Sequence, residues 1–406
     1  MDGTAQPLLI GLLGLLIIAA ILLRSGLGRL AVPALVGYLV LGFLLRGAQG
    51  AWGFLPAEGS AVLELLGRMG LIALLFRVGL ESDVGRLRSQ LGRAGPIWLG
   101  SVLASGAAGY ATARWLLDLG AVPSLFTGVA LTATSVGVSL SVWQERDALD
   151  TDTGALLVDT VELDDFSGVL LMALLFQVAP LLHGGAGDLL PPLARATAVV
   201  LLKAGLFLGG CFLFARYAEA RLTRAMGRAG GEAGRILTVT GVGFVIAAVA
   251  ELLGFSFAIG AFFAGLIFSR DPDSVRLDTS FEELYALLTP FFFIWLGFGL
   301  DPGGLGAAAG TGVVLLAAAV LGKVVGTGAP AVPKVGWAGG LALGLSVVPR
   351  AEITMVILER GMSLGPWAVP PRLFSAGILV VLVTSALFPV LTDRLLDARP
   401  RLAGAS

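Results

Sequence analysis

Apolar runs separated by short charged or Gly- and Pro-containing stretches recur along the whole chain. A bilayer-spanning helix needs about 20 mostly apolar residues. That length predicts thirteen spans, at 7–23, 30–45, 61–80, 96–116, 122–143, 154–180, 192–215, 235–253, 254–269, 281–300, 305–328, 335–359 and 368–392. The eighth and ninth nearly abut at Gly254. The fold class expected is an all-α polytopic membrane protein.

Two spans carry polar or helix-breaking residues near their middles. The fifth holds Ala130-Leu131-Thr132-Ala133-Thr134-Ser135-Val136-Gly137, and the twelfth holds Gly344-Leu345-Ser346-Val347-Val348-Pro349-Arg350-Ala351-Glu352. Proline lacks an amide donor and clashes with the preceding turn, so an interruption is expected there. Irregular backbone at membrane depth persists only where protein or a water-filled cavity covers it. The two interruptions lie seven spans apart, an odd offset. If spans 1 to 6 recur as spans 8 to 13 around a linker span, the second copy is inverted, the arrangement of secondary transporters with a midplane site between broken helices.

Charge then picks out the sixth span. Val158-Asp159-Thr160-Val161-Glu162-Leu163-Asp164-Asp165-Phe166 places four carboxylates in an otherwise apolar segment. A charge at the centre of a membrane helix costs roughly 2.5–3.5 kcal/mol on insertion scales, so such a cluster predicts an ion or proton site. Asp164 and Asp165 lie roughly 17–18 Å into the span. Asp159, Glu162 and Asp165 share one helical stripe, expected to form a funnel from the cytoplasmic side, while Asp164 points about 100° away from Asp165.

Few intramembrane cations could answer these acids. Arg68 follows Glu64 by four residues and Arg77 precedes Glu81 by four, spacings that favour local ion pairs. Lys203 lies in the linker span and reads as structural or snorkelling. Lys323, flanked by small residues in Gly322-Lys323-Val324-Val325-Gly326, is the candidate partner for an intramembrane carboxylate, and a purely structural pair is the competing reading. Arg350 and Glu352 are expected to be a structural charge pair holding the second break. Thr132, Thr134 and Ser135 offer hydroxyl and carbonyl oxygens of the kind hard cations take, although Ser and Thr also glue membrane helices.

Composition agrees. The 406 residues are 56% hydrophobic and 14% charged, with 27 basic against 28 acidic residues, and the mean hydropathy is +0.91. Soluble domains carry about 25% charged residues. The balanced charge gives nucleic acid no electrostatic footprint. One cysteine (Cys211) and one histidine (His183) exclude internal disulfides and make thiolate or imidazole metal sites improbable. The first run lacks a basic leader and is expected to be a retained span, and no long loop or terminal stretch suggests an added soluble module. Gly185-Ala186-Gly187-Asp188 matches the Gly-x-Gly-Asp pattern of intramembrane aspartyl proteases. It falls in a loop, and adjacent aspartates on one helix cannot form a facing dyad, so an enzyme is not expected.

Basic residues set the orientation. Arg24, Arg29, Arg86, Arg88, Arg93, Arg146, Arg216, Arg221, Arg224, Arg228, Arg235, Arg270, Arg276, Lys334, Arg394, Arg399 and Arg401 fall on one side of the thirteen spans. Arg46, Arg114, Arg195, Arg360 and Arg372 fall on the other. The positive-inside rule puts the richer side, with the carboxyl terminus, in the cytoplasm of a cell (inner) membrane and the amino terminus outside.

Several motifs, in order, carry a resemblance. Val32-Pro33 with Val36-Gly37-Tyr38-Leu39 and Gly42, Leu74-Leu75-Phe76-Arg77-Val78-Gly79-Leu80-Glu81, Leu131-Thr132-Ala133-Thr134-Ser135-Val136-Gly137 and Asp164-Asp165 are followed by Phe291-Phe292-Phe293 with Gly297, Gly322-Lys323-Val324-Val325-Gly326 and Pro349-Arg350-Ala351-Glu352. This series resembles the monovalent cation/proton antiporters of the Kef and NapA type (cation:proton antiporter-2 family), relatives of NhaA. The resemblance implies an NhaA-like fold with two broken crossing helices and electrogenic exchange of a monovalent cation, sodium ahead of potassium or lithium, for protons, without a resident cofactor. Asp165 would be the main cation and proton carboxylate and Asp164 the partner of Lys323. The resemblance further implies a homodimer working as an elevator. A dimerisation domain would comprise 1–95 and 235–302, a core domain 96–180 and 303–406, with 181–234 as linker. Glu162 stands where the family carries an apolar or small residue. Outside the family reading, a sodium-coupled symporter for an organic solute fits the same broken helices, and a channel accounts for less of the repeat pattern.

Overall fold

The computed structural model describes residues 5–28, 32–55, 57–81, 84–184, 190–269, 274–300, 302–399 and 402. The Gly185–Asp188 tetrapeptide, Arg29, Arg270 and Arg401 lie outside the described residues, as do the side chains of Arg86, Arg88, Arg195, Arg235 and Arg276.

Among the described residues the fold is helical and contains no strand. The helices are α1 (Ala5–Gly28), α2 (Ala34–Trp52), α3 (Ala57–Glu81), α4 (Val84–Ala111), α5 (Ala121–Thr132), α6 (Val136–Glu145), α7 (Asp152–His183), α8 (Leu190–Leu213), α9 (Glu219–Leu252), α10 (Phe257–Phe268), α11 (Ser274–Phe298), α12 (Leu305–Ser346), α13 (Glu352–Leu364) and α14 (Pro371–Ala398). Short π-helical turns, Thr112–Leu116 and Phe214–Ala218, extend α4 and α8.

The expected fifth span is the broken pair α5 and α6. The expected twelfth is likewise split. Its first half is the end of α12, which turns at Gly336 (φ 70°, ψ 176°), and its second half is α13. Hydropathy marks what fits in lipid rather than where a helix ends, so helices outrun their spans, α4 and α9 among them. α4 begins at Val84 rather than 96, and α9 at Glu219 rather than 235, both through charged sequence that remains helical. Gly254 (φ 88°) separates α9 from α10, where an L side chain would be strained.

Among the described residues six helical segments are long and apolar enough to cross a membrane, including Pro7–Gly28, Asp152–His183 and Ala308–Ser346. Large apolar side chains such as Leu8, Leu22, Leu202, Val245 and Leu321 face outward. A bilayer, not water, is the solvent such a surface requires. The chain is a multi-pass membrane protein.

Two compact units divide the chain. The first comprises Met1–Pro56, Val84–Leu175 and Leu296–Ser406, and the second Ala57–Asp83 and Phe176–Trp295. In the first unit, α4 packs on α12 through small residues. A Cβ placed on Gly322 would sit 2.7 Å from the Ser105 Cα, and one on Gly326 would sit 2.5 Å from the Gly100 carbonyl oxygen. Any larger residue would push the two helices apart, which fixes the depth at which Lys323, between those glycines, meets α4. An apolar cluster in the core of this unit includes Ile97, Trp143, Leu157, Val161, Leu343 and Val347.

The second unit is built around α3, α9, α10 and α11. Ser256 caps α10, its Oγ accepting from Ile259 N–H at 3.3 Å, and Glu251 accepts from Phe257 N–H at 3.1 Å. Arg68 pairs with Glu64 and Arg77 with Glu81, each at 2.6 Å, and Arg77 also stacks 4.5 Å from the Tyr285 ring centroid. Lys203 on α8 is half-buried.

Candidate functional site

The site is contained in the first unit and starts from the two interruptions. Between α5 and α6, Ala133 (φ −65°, ψ 146°) and Ser135 (φ −92°, ψ 107°) are extended. Between α12 and α13 the chain leaves the helix at Val347 and re-enters after Ala351 (φ −150°, ψ −103°). Helix ends leave N–H and C=O groups without intrahelical partners, and in a buried site other groups must meet them. Here each break serves the other. Ser135 N–H donates to the Pro349 carbonyl at 2.9 Å, and Thr354 Oγ1 donates to the Ala130 carbonyl at 2.9 Å.

Arg350 completes this crossing from a fully buried position. Its Nη1 donates to the Ala133 carbonyl at 2.6 Å and its Nη2 to the Ala319 carbonyl at 3.4 Å, tying α5 and α12 to the second break. Its own backbone is held by α14, with the N–H donating to Thr384 Oγ1 (3.3 Å) and the carbonyl accepting from Ser385 Oγ (2.7 Å). The expected Arg350–Glu352 pair is thus placed differently. The guanidinium binds carbonyls, and Glu352 accepts from Ser135 Oγ at 3.2 Å.

Against the crossing lies α7. Asp164 is buried, and its Oδ2 accepts from Lys323 Nζ at 2.6 Å, Thr134 Oγ1 at 2.8 Å and Ser101 Oγ at 3.2 Å. Lys323 Nζ also donates to Ser101 Oγ at 2.8 Å. Ser101 therefore accepts from the ammonium and donates to the carboxylate, bridging the pair. Asp164 Oδ1, equally buried, has no hydrogen-bond partner among the described residues. Side chains from α4, α12 and the α5–α6 break thus meet at one carboxylate oxygen of α7.

Asp165 sits at the next position of α7 and is half-buried, on a different face from Asp164. Asp159 and Glu162 share its partial exposure. Thr132 returns its hydroxyl to its own helix, donating to the Val129 carbonyl at 2.8 Å, whereas Thr134 reaches both Asp164 and the Val347 carbonyl (3.3 Å). Of the three hydroxyls singled out in the sequence, Thr134 is the one hydrogen-bonded to an α7 carboxylate. Among the described residues no three His, Cys, Asp or Glu side chains converge as a metal cage. A cation here would be held by a carboxylate with hydroxyl and carbonyl oxygens, ligands that suit a hard monovalent ion.

The sequence profile described as "Sodium/hydrogen exchanger, transmembrane" matches residues 14–398. The chain belongs to this family. Its similarity extends to the high-affinity Na(+)/H(+) antiporter NhaS3 of Synechocystis (26% identical, covering 88% of this chain and 76% of that one) and to the Na(+)/H(+)-K(+) antiporter GerN of Bacillus cereus (26%, covering 96% and 98%). The glutathione-regulated potassium-efflux protein KefC of Klebsiella pneumoniae is 28% identical over 68% of this chain and 43% of its own length. The solved sodium proton antiporter MjNhaP1 of Methanocaldococcus jannaschii superposes with a TM-score of 0.70 at 16% identity, covering 98% of this chain and 99% of that one, a likeness of fold. The resemblance drawn from the motifs is borne out for family and fold.

In this exchanger-family chain three α4 side chains outside the sequence motifs, Gln90, Trp98 and Ser101, also reach α7. Trp98 Nε1 donates to Ser167 Oγ at 3.0 Å, and Ser167 Oγ to the Asp164 carbonyl at 3.0 Å. A signal existed. Gln90, Ser101 and Ser105 are spaced by eleven and four residues, close to a whole number of helical turns, and so mark one polar face of α4.

Proposed function

We propose that this chain is a secondary active antiporter that exchanges a monovalent cation for protons by alternating access. The observation that carries this reading is the buried Lys323–Asp164 pair, 2.6 Å apart at the crossing of two broken helices, beside a second, partly accessible carboxylate at Asp165. Asp165 holds either the cation or a proton. Protonation removes the charge that retains the cation, and loss of the proton restores it, so the two occupants exclude each other and their fluxes couple. Thr134 and the carbonyls freed at the breaks supply neutral oxygens.

Lys323 is the ion-pair partner through which a second proton is carried. When the cation draws on the aspartates, the ammonium loses its partner and releases a proton, and more protons than cations move per cycle. Sodium is favoured over potassium on the similarity to Na(+)/H(+) antiporters, while the KefC and GerN relatives keep potassium in play. The remaining assignments are part of the same proposal: a homodimer in an inner membrane, the amino terminus outside and the carboxyl terminus cytoplasmic, Asp159 and Glu162 on the cytoplasmic approach, and a core domain (96–180 and 303–406) moving like an elevator against a dimerisation domain (1–95 and 235–302). A pH-dye assay in proteoliposomes, adding sodium, potassium and lithium in turn, tests the function. Cation-dependent dequenching supports it, and no response to any of the three contradicts it.

A further inference from the structure

Two exposed tryptophans mark the ends of the α4–α12 pair. Gly322 packs on Ser105 and Gly326 on Gly100, and farther along Lys334 Nζ donates to the Arg93 carbonyl at 2.8 Å, so the two helices run antiparallel from the site to the Gly336 turn. Trp115 stands fourteen positions after Ser101, and Trp337 fourteen after Lys323. Ser101 and Lys323 are hydrogen-bonded to each other, and fourteen residues of helix rise about 21 Å, so the indoles stand about 42 Å apart along the pair. That is the thickness of a bilayer with its headgroup regions, about 40–45 Å. Trp115 is 72% exposed and Trp337 82%. Indoles presented outward at those two levels belong to the two membrane–water interfaces, where tryptophan is enriched.

The turn at Trp337 also gathers positive charge. Lys334 is exposed, and the group that meets its ammonium is a backbone carbonyl, which carries no countercharge. Arg93, about half exposed, donates to the Asp152 carbonyl at 3.2 Å, while the Asp152 carboxylate, 4.0 Å away, is fully exposed and screened by solvent. Two cations thus share one loosely held carboxylate beside an interfacial indole. We propose that Trp337, Lys334 and Arg93 form a docking site for an anionic phospholipid of the cytoplasmic leaflet. The two cations meet its phosphate, and the indole lies beside the glycerol and the upper acyl chain. Cations next to a span are drawn to that leaflet because its surface is negative. The same two helices carry Ser101 and Lys323, so an occupied site holds this end of the body that houses the Asp164–Lys323 pair at the level of the headgroups. The site rests on the orientation proposed above and not on which ion is exchanged.

The test is tryptophan quenching of the full-length chain in vesicles of phosphatidylcholine and phosphatidylglycerol in equal parts, one of the two lipids being brominated high on its acyl chains. The signal of Trp337 is the difference between the wild type and Trp337→Phe. Bromine on phosphatidylglycerol is expected to quench that difference about twofold more than bromine on phosphatidylcholine, because the site enriches the anionic lipid there. In Lys334→Gln with Arg93→Gln, measured against the same variant carrying Trp337→Phe, the two lipids should quench alike. Lys334→Gln alone, with a reduced preference expected, serves where the double variant does not reconstitute. Equal quenching by the two lipids in the wild type overturns the site, and so does a phosphatidylglycerol preference that survives loss of both charges. Sodium-driven proton movement in the same vesicles keeps the claims apart. Its absence from wild-type vesicles removes the antiporter reading and leaves the lipid site as measured, whereas equal quenching with transport intact removes the lipid site alone.

Discussion

Lys323 Nζ lies 2.6 Å from Asp164 Oδ2, with neither side chain exposed. The attraction of a buried pair seldom exceeds the cost of taking two charges out of solvent, but removing one partner leaves an uncompensated charge and typically costs about 3–5 kcal/mol. Lys323→Met is expected to lower thermal stability in detergent by that order, and Lys323→Met with Asp164→Asn to recover most of it. Melting curves of the two purified variants decide. Equal losses in the single and double variants would show that the pair is not the reason Lys323 matters.

A distinct expectation concerns charge movement. If Lys323 carries a proton through its bond to Asp164, Lys323→Gln changes the charge translocated per cation. Currents measured together with cation flux in proteoliposomes report that ratio, and an unchanged ratio removes Lys323 from the proton path.

The crossing depends on a planar, forked cation. Arg350 binds the Ala133 and Ala319 carbonyls from one guanidinium. A lysine presents a single point of charge and cannot span both. Arg350→Lys is expected to lose most transport while retaining helix content by circular dichroism, with about 2–3 kcal/mol lost in stability as a charged hydrogen bond to a buried carbonyl goes unmade. Transport near wild type would show that the breaks hold their geometry without the fork.

Arg146, just past α6, is forked between Asp393 and Asp397 of α14 at 2.6 and 2.7 Å. The hydrogen bonds it donates to Asp397 and to Asp393 push its guanidinium above the ordinary arginine range. A raised cationic group contributes its stability fully below its unfolded pKa and loses it only as pH rises through the folded value. The arginine thus stays charged throughout the working range and gives the link no pH dependence of its own there. Its side chain is part-exposed, so Arg146→Ala should cost about 0.5–1 kcal/mol, less at high salt. Thermal shift at low and high ionic strength measures both.

Much of this arrangement is legible in the chain because lipid makes the rules strict. Apolar length predicts the spans, and an unpaired backbone group is so costly in hydrocarbon that Pro349 and the Thr-Ala-Thr-Ser run announce the two breaks directly. The small residues around Lys323 likewise announce a close helix neighbour, which proves to be α4. Less legible were the helix ends at Val84 and Glu219, where charged sequence continues a helix past the apolar span. Nor does sequence spacing say which donors an oxygen selects. Ser101, eleven residues beyond Gln90 in a run of small and apolar residues, carries no local sign that it bridges a lysine and an aspartate drawn from two other helices. Thr132 and Thr134 look alike in the chain, yet the extended backbone at Ala133 turns Thr134 toward Asp164 and leaves Thr132 bonded to its own helix.

The most direct measurement is cation-driven proton movement by Asp165→Asn in proteoliposomes, read with a pH-sensitive dye beside the wild-type protein. The substitution keeps the shape of the side chain and removes the group that alternates between cation and proton. Wild-type protein is expected to respond to sodium and Asp165→Asn to give no response, with both reconstituted to the same level. Sodium-dependent proton movement of wild-type size in Asp165→Asn would contradict exchange at this carboxylate.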